Sequence, residues 1–289
     1  MYLPDTLSSL LRRLSPLVIA FSGGLDSRFL AHAASLTDGV AFTLYHIKGP
    51  HVPGAESDAA VAWAQERGFA LTLLTLDPLD IPEVRRNGKE RCYFCKRHLF
   101  TSLCRQVDTG EESGPGRAVC DGSNLSDMGL YRPGLRALQE LGIHSPLAAA
   151  GLDKTAIRVL AAQTGMDRPD QAARPCLLTR FAYGLDASPE ALAALAEAEK
   201  AVESILSSTA EGACPDFRLR LVAGRPTQGR LPYETELHVA AELPGMVAAE
   251  ALRRVVACGF AAPLLVRTEA VSGHYDRLQP ATSRVPDPD

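Results

Sequence analysis

The fold of this chain is decided by the stretch LVIAFSGGLDSRFLAHAA at residues 17–34. The apolar run at residues 17–20 predicts a buried strand, and residues 27–36 predict a helix. Between them, Gly23 and Gly24 allow a close approach of the backbone and unusual backbone angles. A strand, a glycine pair and the start of a helix together form a pocket of backbone N–H groups. With the positive end of the helix, that pocket suits a phosphate or a pyrophosphate.

The side chains of the same loop add to this interpretation. Ser22 and Ser27 supply hydroxyl donors, whereas Asp26 fits an anion site only when a cation such as Mg²⁺ accompanies the phosphates. The Gly-Lys-Ser/Thr ending of a Walker A loop is absent from the sequence. The segment Ser22–Ser27 instead resembles the Ser-Gly-Gly-x-Asp-Ser loop of the PP-loop ATP pyrophosphatases. That resemblance implies an enzyme that splits ATP between its α and β phosphates and leaves AMP on a substrate oxygen.

Strand and helix patterns alternate after this loop. The predicted strands cover residues 17–21, 40–47, 69–76 and 117–120, and the predicted helices cover residues 5–14, 27–36, 55–67, 91–107, 131–141 and 153–164. This alternation predicts an α/β fold with a doubly wound parallel sheet, as in the PP-loop ATPases and adenine nucleotide alpha hydrolases. Ligands of such sheets bind at the C-terminal ends of the strands, where the loops at residues 22–27 and 121–124 lie.

The composition changes near Ala182, where we place a domain boundary. Residues 1–182 are predicted to form an ATP-binding domain and residues 183–289 a smaller α+β domain that binds substrate phosphate or forms an oligomer. The elements predicted for the second domain are helices at residues 187–207 and 243–257 and strands at residues 217–222, 233–239 and 263–269. The proline-containing tail from Leu278 is predicted to fray.

The overall composition is ordinary for a globular protein. The chain has 289 residues, of which 46% are hydrophobic and 22% charged, and its net charge is −4. A nucleic-acid surface is not expected from this charge. No apolar run has the length of a membrane span, and no signal peptide is evident, so we expect a cytoplasmic protein without a membrane partner.

Three of the seven cysteines form a candidate metal site. Cys92 and Cys95 are a Cys-x-x-Cys pair, which fits half of a zinc site, a redox pair or a coincidence. Cys176 offers a third thiolate, with Arg174 and Arg180 nearby to lower its pKa, unless it simply packs in a turn. Three cysteines can hold three irons of a cubane cluster and leave the fourth iron without a protein ligand.

Several further segments resemble the LarE family, the ATP-dependent sulfurtransferases that act on pyridinium-3,5-biscarboxylate mononucleotide. The resemblance rests on residues 22–27, 91–96, 121–124, 131–136, 145–147 and 176–184, and it thins to residues 217–220, 259–260 and 272–273 in the second domain. It implies that the chain adenylates a carboxylate of this nucleotide and replaces oxygen by sulfur in the synthesis of the nickel-pincer cofactor. Members with three cysteines hold a [4Fe-4S] cluster whose open iron binds sulfide, and this chain has all three cysteines.

The resemblance and the residues together predict a set of site residues. Asp26 is assigned to the Mg²⁺ ion, Cys176 to sulfur transfer, and Lys96 and Arg180 to catalysis. The remaining assignments are Ser22, Gly23, Gly24, Ser27, Asp121, Arg218 and Arg220 for nucleotide and phosphate binding, and Cys92, Cys95 and Cys176 for the cluster. The implied ligands are ATP, Mg²⁺, a [4Fe-4S] cluster, a small nucleotide substrate and sulfide or another sulfur donor, and the family's habit implies a homo-oligomer.

Three departures from the family pattern stand out. Arg28 replaces a small Ser or Thr and is expected to add a charge beside the phosphates. Residues 170–174 read DQAAR rather than the usual Asp-Lys-Pro pattern before Cys176. In the second domain, Glu236-Leu237-His238-Val239 replaces an expected Arg-Ile-Glu-Val.

Three other functions fit parts of the pattern. A tRNA thiolase also pairs a PP-loop with three cysteines and a [4Fe-4S] cluster, but 34 acidic against 30 basic residues weigh against RNA binding. An amide-forming PP-loop ligase needs no cysteine triad. A non-catalytic nucleotide-binding protein with structural zinc at Cys92 and Cys95 is the third alternative.

Overall fold

A computed structural model describes residues 3–109, 116–128, 132–173, 175–209, 214–224, 229–269, 271 and 273–277. The chain divides into two compact units. Unit 1 contains residues 1–85 and 89–176, and unit 2 contains residues 86–88 and 177–289. The division at Cys176 and Leu177 lies close to the domain boundary that the composition predicts near Ala182. Tyr131, Arg174, Ser272 and the tail from Leu278 lie outside the described residues.

Unit 1 alternates strands and helices along the chain. Its elements are α1 (Asp5–Leu14), β1 (Leu17–Ala20), α2 (Leu25–Ser35), β2 (Phe42–Lys48), α3 (Gly54–Glu66), β3 (Leu71–Thr75), a 3₁₀ turn (Pro78–Asp80), α4 (Pro82–Arg85), α5 (Arg91–Thr109), β4 (Ala118–Cys120), α6 (Leu125–Met128), α7 (Pro133–Glu140), α8 (Pro146–Ala149) and α9 (Lys154–Gln163). Helix α9 is capped by Asp153, whose carboxylate accepts a hydrogen bond from the Ala156 amide at 2.7 Å. The short helices α4, α6 and α8 were not predicted, since four residues are too few for a periodic pattern.

The four strands of unit 1 form one parallel sheet in the order β3-β2-β1-β4, which confirms the predicted parallel α/β fold. Ile19 of β1 pairs with Leu44 of β2 on one side and with Cys120 of β4 on the other. The chain moves outward from β1 through β2 to β3 and then returns to the opposite side of β1. The ends of β1 and β4 therefore lie at the point where the strand order reverses, which is where open α/β sheets bind ligands.

Helices cover both faces of this sheet because successive β1 residues point to opposite sides. Leu17 and Ile19 pack in a core with residues of α1, α2, α3 and α9. Val18 packs in a second core with Phe100 and Leu103 of α5 and with Leu138 of α7. A strand buried on both sides has no polar alternation, which explains why the sequence of β1 is an uninterrupted apolar run.

Unit 2 combines a small mixed sheet with two long helices. Its elements are a 3₁₀ turn (Leu177–Arg180), α10 (Pro189–Thr209), β5 (Phe217–Gly224), β6 (Tyr233–Val239), α11 (Gly245–Ala257), β7 (Leu264–Arg267) and α12 (His274–Arg277). The strands lie in the order β5-β6-β7, with β5 antiparallel and β7 parallel to β6. This arrangement agrees with the α+β unit predicted from the sequence. None of the helices in the described part of the chain combines the length and the hydropathy needed to cross a membrane.

Candidate nucleotide and sulfur-transfer site

The loop between β1 and α2 is held close to α3 by its glycines. Gly23 has a φ of +76°, and a Cβ atom at this position would lie 2.7 Å from the Cβ of Ala60. Gly24 is the N-cap residue of α2 and, having no side chain, makes no capping hydrogen bond. The first-turn amides of α2 have no carbonyl partner within the helix, so they are available to an anion at this end. Gly23 is therefore required by its close approach to Ala60, and Gly24 begins a helix whose free amides can bind an anion.

Hydroxyl groups close this loop upon itself. Ser22 Oγ lies 3.1 Å from Ser27 Oγ, and Ser27 Oγ also donates to the Gly24 carbonyl at 3.1 Å. The loop is fixed from below by buried His46, whose ring nitrogens lie 2.8 Å from the Phe21 carbonyl and 2.9 Å from Ser57 Oγ. Burial lowers the pKa of His46, although the bond to the Phe21 carbonyl acts in the opposite direction. A neutral histidine thus positions the loop without adding a charge to it.

Asp26 has one oxygen in an ion pair and one without a partner. Its Oδ2 accepts a hydrogen bond from Lys154 Nζ at 2.9 Å. Its Oδ1 is buried and has no hydrogen-bond partner among the described residues. A buried carboxylate oxygen without a partner is costly unless a ligand satisfies it, and oxygen is the ligand atom that Mg²⁺ prefers. Sequence reasoning missed Lys154, because one lysine at the start of a helix has no pattern that distinguishes it from a surface charge.

The loop after β4 lies against the same helix end. A Cβ atom at Gly122 would lie 3.0 Å from the Ser27 amide nitrogen, so a side chain here would crowd the first turn of α2. Asp121 is buried and accepts hydrogen bonds from the hydroxyls of Ser123 and Ser145, the latter at 2.6 Å. Its Oδ2 also lies 3.8 Å from Lys96 Nζ of α5. The structure thereby brings Asp121 and Lys96 together and places the β4 loop beside the glycine loop.

Arg28 corrects the expectation that it adds a charge beside the phosphates. Its side chain is 1% exposed and donates to Asp167 Oδ2 and to the Arg168 carbonyl, both at 3.0 Å. Burial lowers the pKa of Arg28, against the raising effect of Asp167. The guanidinium is therefore part of the folded core, where its two terminal nitrogens donate to protein groups and its buried Nε has no hydrogen-bond partner among the described residues.

Asp167 joins Arg28 to two residues of α3. Trp63 Nε1 and Arg67 donate to Asp167 Oδ1 at 2.8 and 2.5 Å. Burial acts to raise the pKa of Asp167, but the Trp63 hydrogen bond and the charges of Arg28 and Arg67 outweigh it, so the pKa is lowered. The Arg67 guanidinium also lies 4.2 Å from the centre of the Trp63 ring. This network ties α2, α3 and the segment after α9 together.

The three predicted cluster ligands all belong to unit 1. Cys92 is exposed and Cys95 and Cys176 are partly buried. The pKa of Cys95 is strongly raised, first by burial and then by the negative charge of Cys176 and Cys92. The thiols are therefore near enough to affect one another, and their joint ionisation needs a compensating positive charge. Among the described residues, the three sulfurs do not meet within the 4.8 Å that would suit one ion. A cubane attaches each thiolate to a different iron and so keeps its ligands farther apart than one ion does.

The predicted arginines of unit 2 are bound to protein groups. Arg180 is buried and donates twice to Glu199, at 3.0 and 2.8 Å. Arg218 donates to its neighbouring Phe217 carbonyl at 2.6 Å. Arg220 is 3% exposed, donates to the Val271 carbonyl and lies 5.2 Å from the centre of the Tyr275 ring. The catalytic role of Arg180 and the phosphate-binding role of Arg218 and Arg220 stay predictions.

Comparison with known proteins gives three related sequences. The chain is 34% identical to an uncharacterized protein of Synechocystis sp. over 183 residues, which are 63% of this chain and 66% of that protein, just under two thirds of its length. It is 31% identical to an uncharacterized protein of Methanocaldococcus jannaschii over 64% of this chain and 68% of that protein. It is also 31% identical to the pyridinium-3,5-bisthiocarboxylic acid mononucleotide synthase of Lactiplantibacillus plantarum over 201 residues, which are 69% of this chain and 71% of that protein. No family model matches the chain.

Proposed function

This chain belongs to the LarE family, that of the Lactiplantibacillus plantarum synthase, and we propose that it is an ATP-dependent sulfurtransferase of the nickel-pincer cofactor pathway. In this proposal it adenylates a carboxylate of pyridinium-3,5-biscarboxylate mononucleotide and exchanges the activated oxygen for sulfur. A PP-loop ATPase fold, a cytoplasmic location and a homo-oligomer belong to the same proposal. The similarity to the pyridinium-3,5-bisthiocarboxylic acid mononucleotide synthase supports the product, and the geometry of unit 1 supports the nucleotide chemistry.

The first step must make a poor electrophile reactive. A carboxylate repels an anionic sulfur nucleophile, and oxide is a very poor leaving group. Transfer of AMP to a carboxylate oxygen cancels the charge and creates a good leaving group, with pyrophosphate departing from ATP. The amides of Leu25, Asp26 and Ser27 at the start of α2 are suited to hold the departing phosphates. Glycine at position 122 avoids a side chain that would crowd the Ser27 amide.

Asp26 supports the involvement of a divalent ion with ATP. Its Oδ1, buried without a partner among the described residues, fits a Mg²⁺ ligand, and Mg²⁺ would neutralise charge on the phosphates. Lys154, 2.9 Å from Oδ2, holds the carboxylate in place and offers a second positive charge for the phosphates. At the neighbouring loop, Lys96 Nζ lies 3.8 Å from Asp121 Oδ2 and offers a further positive charge.

The sulfur step is assigned to Cys92, Cys95 and Cys176. The negative charges of the three thiolates repel one another, and a positively charged iron–sulfur core would offset that repulsion. Such a cluster would supply a fourth iron able to bind sulfide. The chain's part is to hold three thiolates on two segments of unit 1, the start of α5 and the end of the unit. The donor set also supports this assignment, because soft thiolates select iron–sulfur clusters over hard cations.

The observation on which the proposal depends most is the half-satisfied Asp26 at the reversal point of the sheet. The test is to reconstitute the protein anaerobically with iron and sulfide and incubate it with ATP, Mg²⁺, sulfide and the biscarboxylate nucleotide. We expect mass spectrometry to detect AMP and a product in which sulfur replaces oxygen. Turnover on tRNA with no sulfur in the nucleotide would instead assign the chain to the tRNA thiolases.

The two half-reactions are separated by Cys176→Ala. We expect this variant to release pyrophosphate and accumulate the adenylated nucleotide but to form no sulfur-containing product, because the cysteine acts after adenylation. Cys104→Ala, on α5 but outside the proposed ligand set, is the matched control and should retain both pyrophosphate release and the sulfur-containing product. Loss of pyrophosphate release by a folded Cys176→Ala protein would contradict the division of labour between the loop and the cysteines.

A further inference from the structure

A cluster of metal-binding side chains lies in unit 2, separate from the three cysteines. One nitrogen from each of His238 and His274 and one carboxylate oxygen of Glu236 all lie within 4.8 Å of one another. Glu236 and His238 are two positions apart on β6, so both side chains point to the same face of the small sheet. His274 comes from α12, which follows β7 in the chain.

The surroundings of His238 favour a ligand over a simple packed histidine. The residue is 2% exposed, and its Nδ1 has no hydrogen-bond partner among the described residues. Its Nε2 lies 2.6 Å from Glu236 Oε2, and its ring meets the His274 ring edge to face with the centres 4.6 Å apart. A buried ring nitrogen without a partner carries a desolvation cost, so packing alone does not satisfy this side chain.

We propose that Glu236, His238 and His274 bind a divalent transition-metal ion of the Zn²⁺ class. Two imidazoles and one carboxylate are a common ligand set for Zn²⁺, with a fourth position open to water or another ligand. Such bonds are about 2.0–2.1 Å long, so modest side-chain rotations would bring the three ligand atoms onto one ion. The present Glu236–His238 contact is the one that the ion would replace.

The charges around the cluster decide which ions fit. Arg220 of β5 lies opposite Glu236 of β6 in the register of the sheet. The positive charge of Arg220 disfavours any cation nearby. That guanidinium is directed to the Val271 carbonyl and the Tyr275 ring. A hard ion such as Mg²⁺, which needs several oxygen ligands, is excluded by a set with one carboxylate. An ion held by nitrogen ligands is the better match.

The role assigned to the ion is to fasten α12 to β6. A four-residue helix has little stability of its own, and the site links it to the sheet of unit 2 through His274. This inference does not depend on the proposed sulfur transfer. It also gives a physical reason for Glu236 and His238, two of the residues at which this chain departs from the family pattern.

Cobalt(II) titration of the metal-free full chain tests the proposal. The Cys92→Ser/Cys95→Ser/Cys176→Ser background removes the competing thiolates. We expect one equivalent of Co²⁺ to bind with weak visible bands and without the intense near-ultraviolet band of cobalt–thiolate bonds. Zn²⁺ should displace the cobalt and raise the melting temperature, since an ion that binds the folded state stabilises it.

Variants distinguish the proposed ligands from other histidines. His274→Ala and Glu236→Gln should each weaken Co²⁺ binding by at least about 100-fold, more than the loss of an outer-shell partner costs. His144→Ala, at an exposed histidine of unit 1, should bind like the parent. Circular dichroism checks that each variant is folded. Unchanged Co²⁺ binding in folded His274→Ala and Glu236→Gln, or the absence of a saturable site in the parent, would overturn the proposal.

Discussion

Asp26 and Arg28 are two residues apart on α2, yet their charges are treated in opposite ways. Arg28 is buried, its charge is paired with Asp167 and it donates to the Arg168 carbonyl, although its Nε has no partner among the described residues. Asp26 is satisfied on one oxygen by Lys154 and has a buried second oxygen without a partner among the described residues. The Arg28 charge is paired with a carboxylate inside the core, whereas we propose that the unpartnered oxygen of Asp26 is held for a ligand. Residue type and position in the motif do not distinguish the two cases.

The largest loss of activity is expected from substitution of Asp26, whose Oδ1 has no partner among the described residues. Asp26→Asn keeps the shape and removes the negative charge, so AMP formation should fall by at least about 100-fold, as for the loss of other preorganised electrostatic groups. The melting temperature should change little. Asp58→Asn, at an exposed position of α3, is the control and should retain activity. An Asp26→Asn protein with normal AMP formation would break the comparison, since Asp26 would then be structural as well.

The backbone of the loop gives the next largest effect. Gly23 and Gly39 have nearly the same φ, +76° and +78°, but an added Cβ contacts Ala60 only at Gly23. Gly39→Ala should therefore cost about 1 kcal/mol from backbone strain alone. Gly23→Ala should cost about 3 kcal/mol, because overpacking against α3 adds to the strain. Urea denaturation measures both values, and equal costs would show that contact with α3 does not constrain the loop.

Arg28→Met should lower stability without abolishing chemistry. The variant loses two hydrogen bonds of a charged group while Asp167 keeps Trp63 and Arg67, so we expect a loss of about 2 kcal/mol in the free energy of unfolding. Arg13→Ala, an exposed change on α1, should stay within about 0.5 kcal/mol of the parent. AMP formation per folded molecule should be retained. A stable Arg28→Met protein that cannot bind ATP would place Arg28 on the ligand side of the comparison.

Cysteine alkylation extends the same comparison to the thiols. Because the pKa of Cys95 is raised, its thiolate fraction is small near neutral pH, and metal-free protein should label slowly at Cys95. As long as the pH is below that pKa, the labelling rate at Cys95 should rise about tenfold for each unit by which the pH is raised. Exposed Cys92 serves as the internal reference, and fragment-ion mass spectrometry separates the two sites. Equal labelling rates for Cys92 and Cys95 at pH 8 would show that the pKa of Cys95 is not raised above that of Cys92.

Much of unit 1 was predictable from the sequence because its signals are local. The apolar run of β1 and the alternation of strands and helices each arise within a few residues, and the structure confirms them. The parallel sheet follows from that alternation. Gly23 and Gly24 were interpretable for the same reason, since close backbone approach depends on the local chain path.

The partners of the charged residues were not predictable. Lys154 reaches Asp26, and Asp167 reaches Arg28, from more than one hundred residues away in sequence. Arg180 is likewise bound to Glu199 of α10, a contact that no motif indicates. Such contacts depend on how helices pack on a sheet, and packing leaves no periodic trace in the sequence of either partner.

By itself, the sequence determined that a glycine loop ends a buried strand, that a parallel α/β fold surrounds it and that three cysteines accompany it. Only the tertiary structure decided that Arg28 belongs to the core and that Asp26 keeps an open oxygen at the reversal point of the sheet. The reason is physical. Secondary structure depends on short-range preferences, whereas the state of a charge depends on every group that folding brings within hydrogen-bond distance.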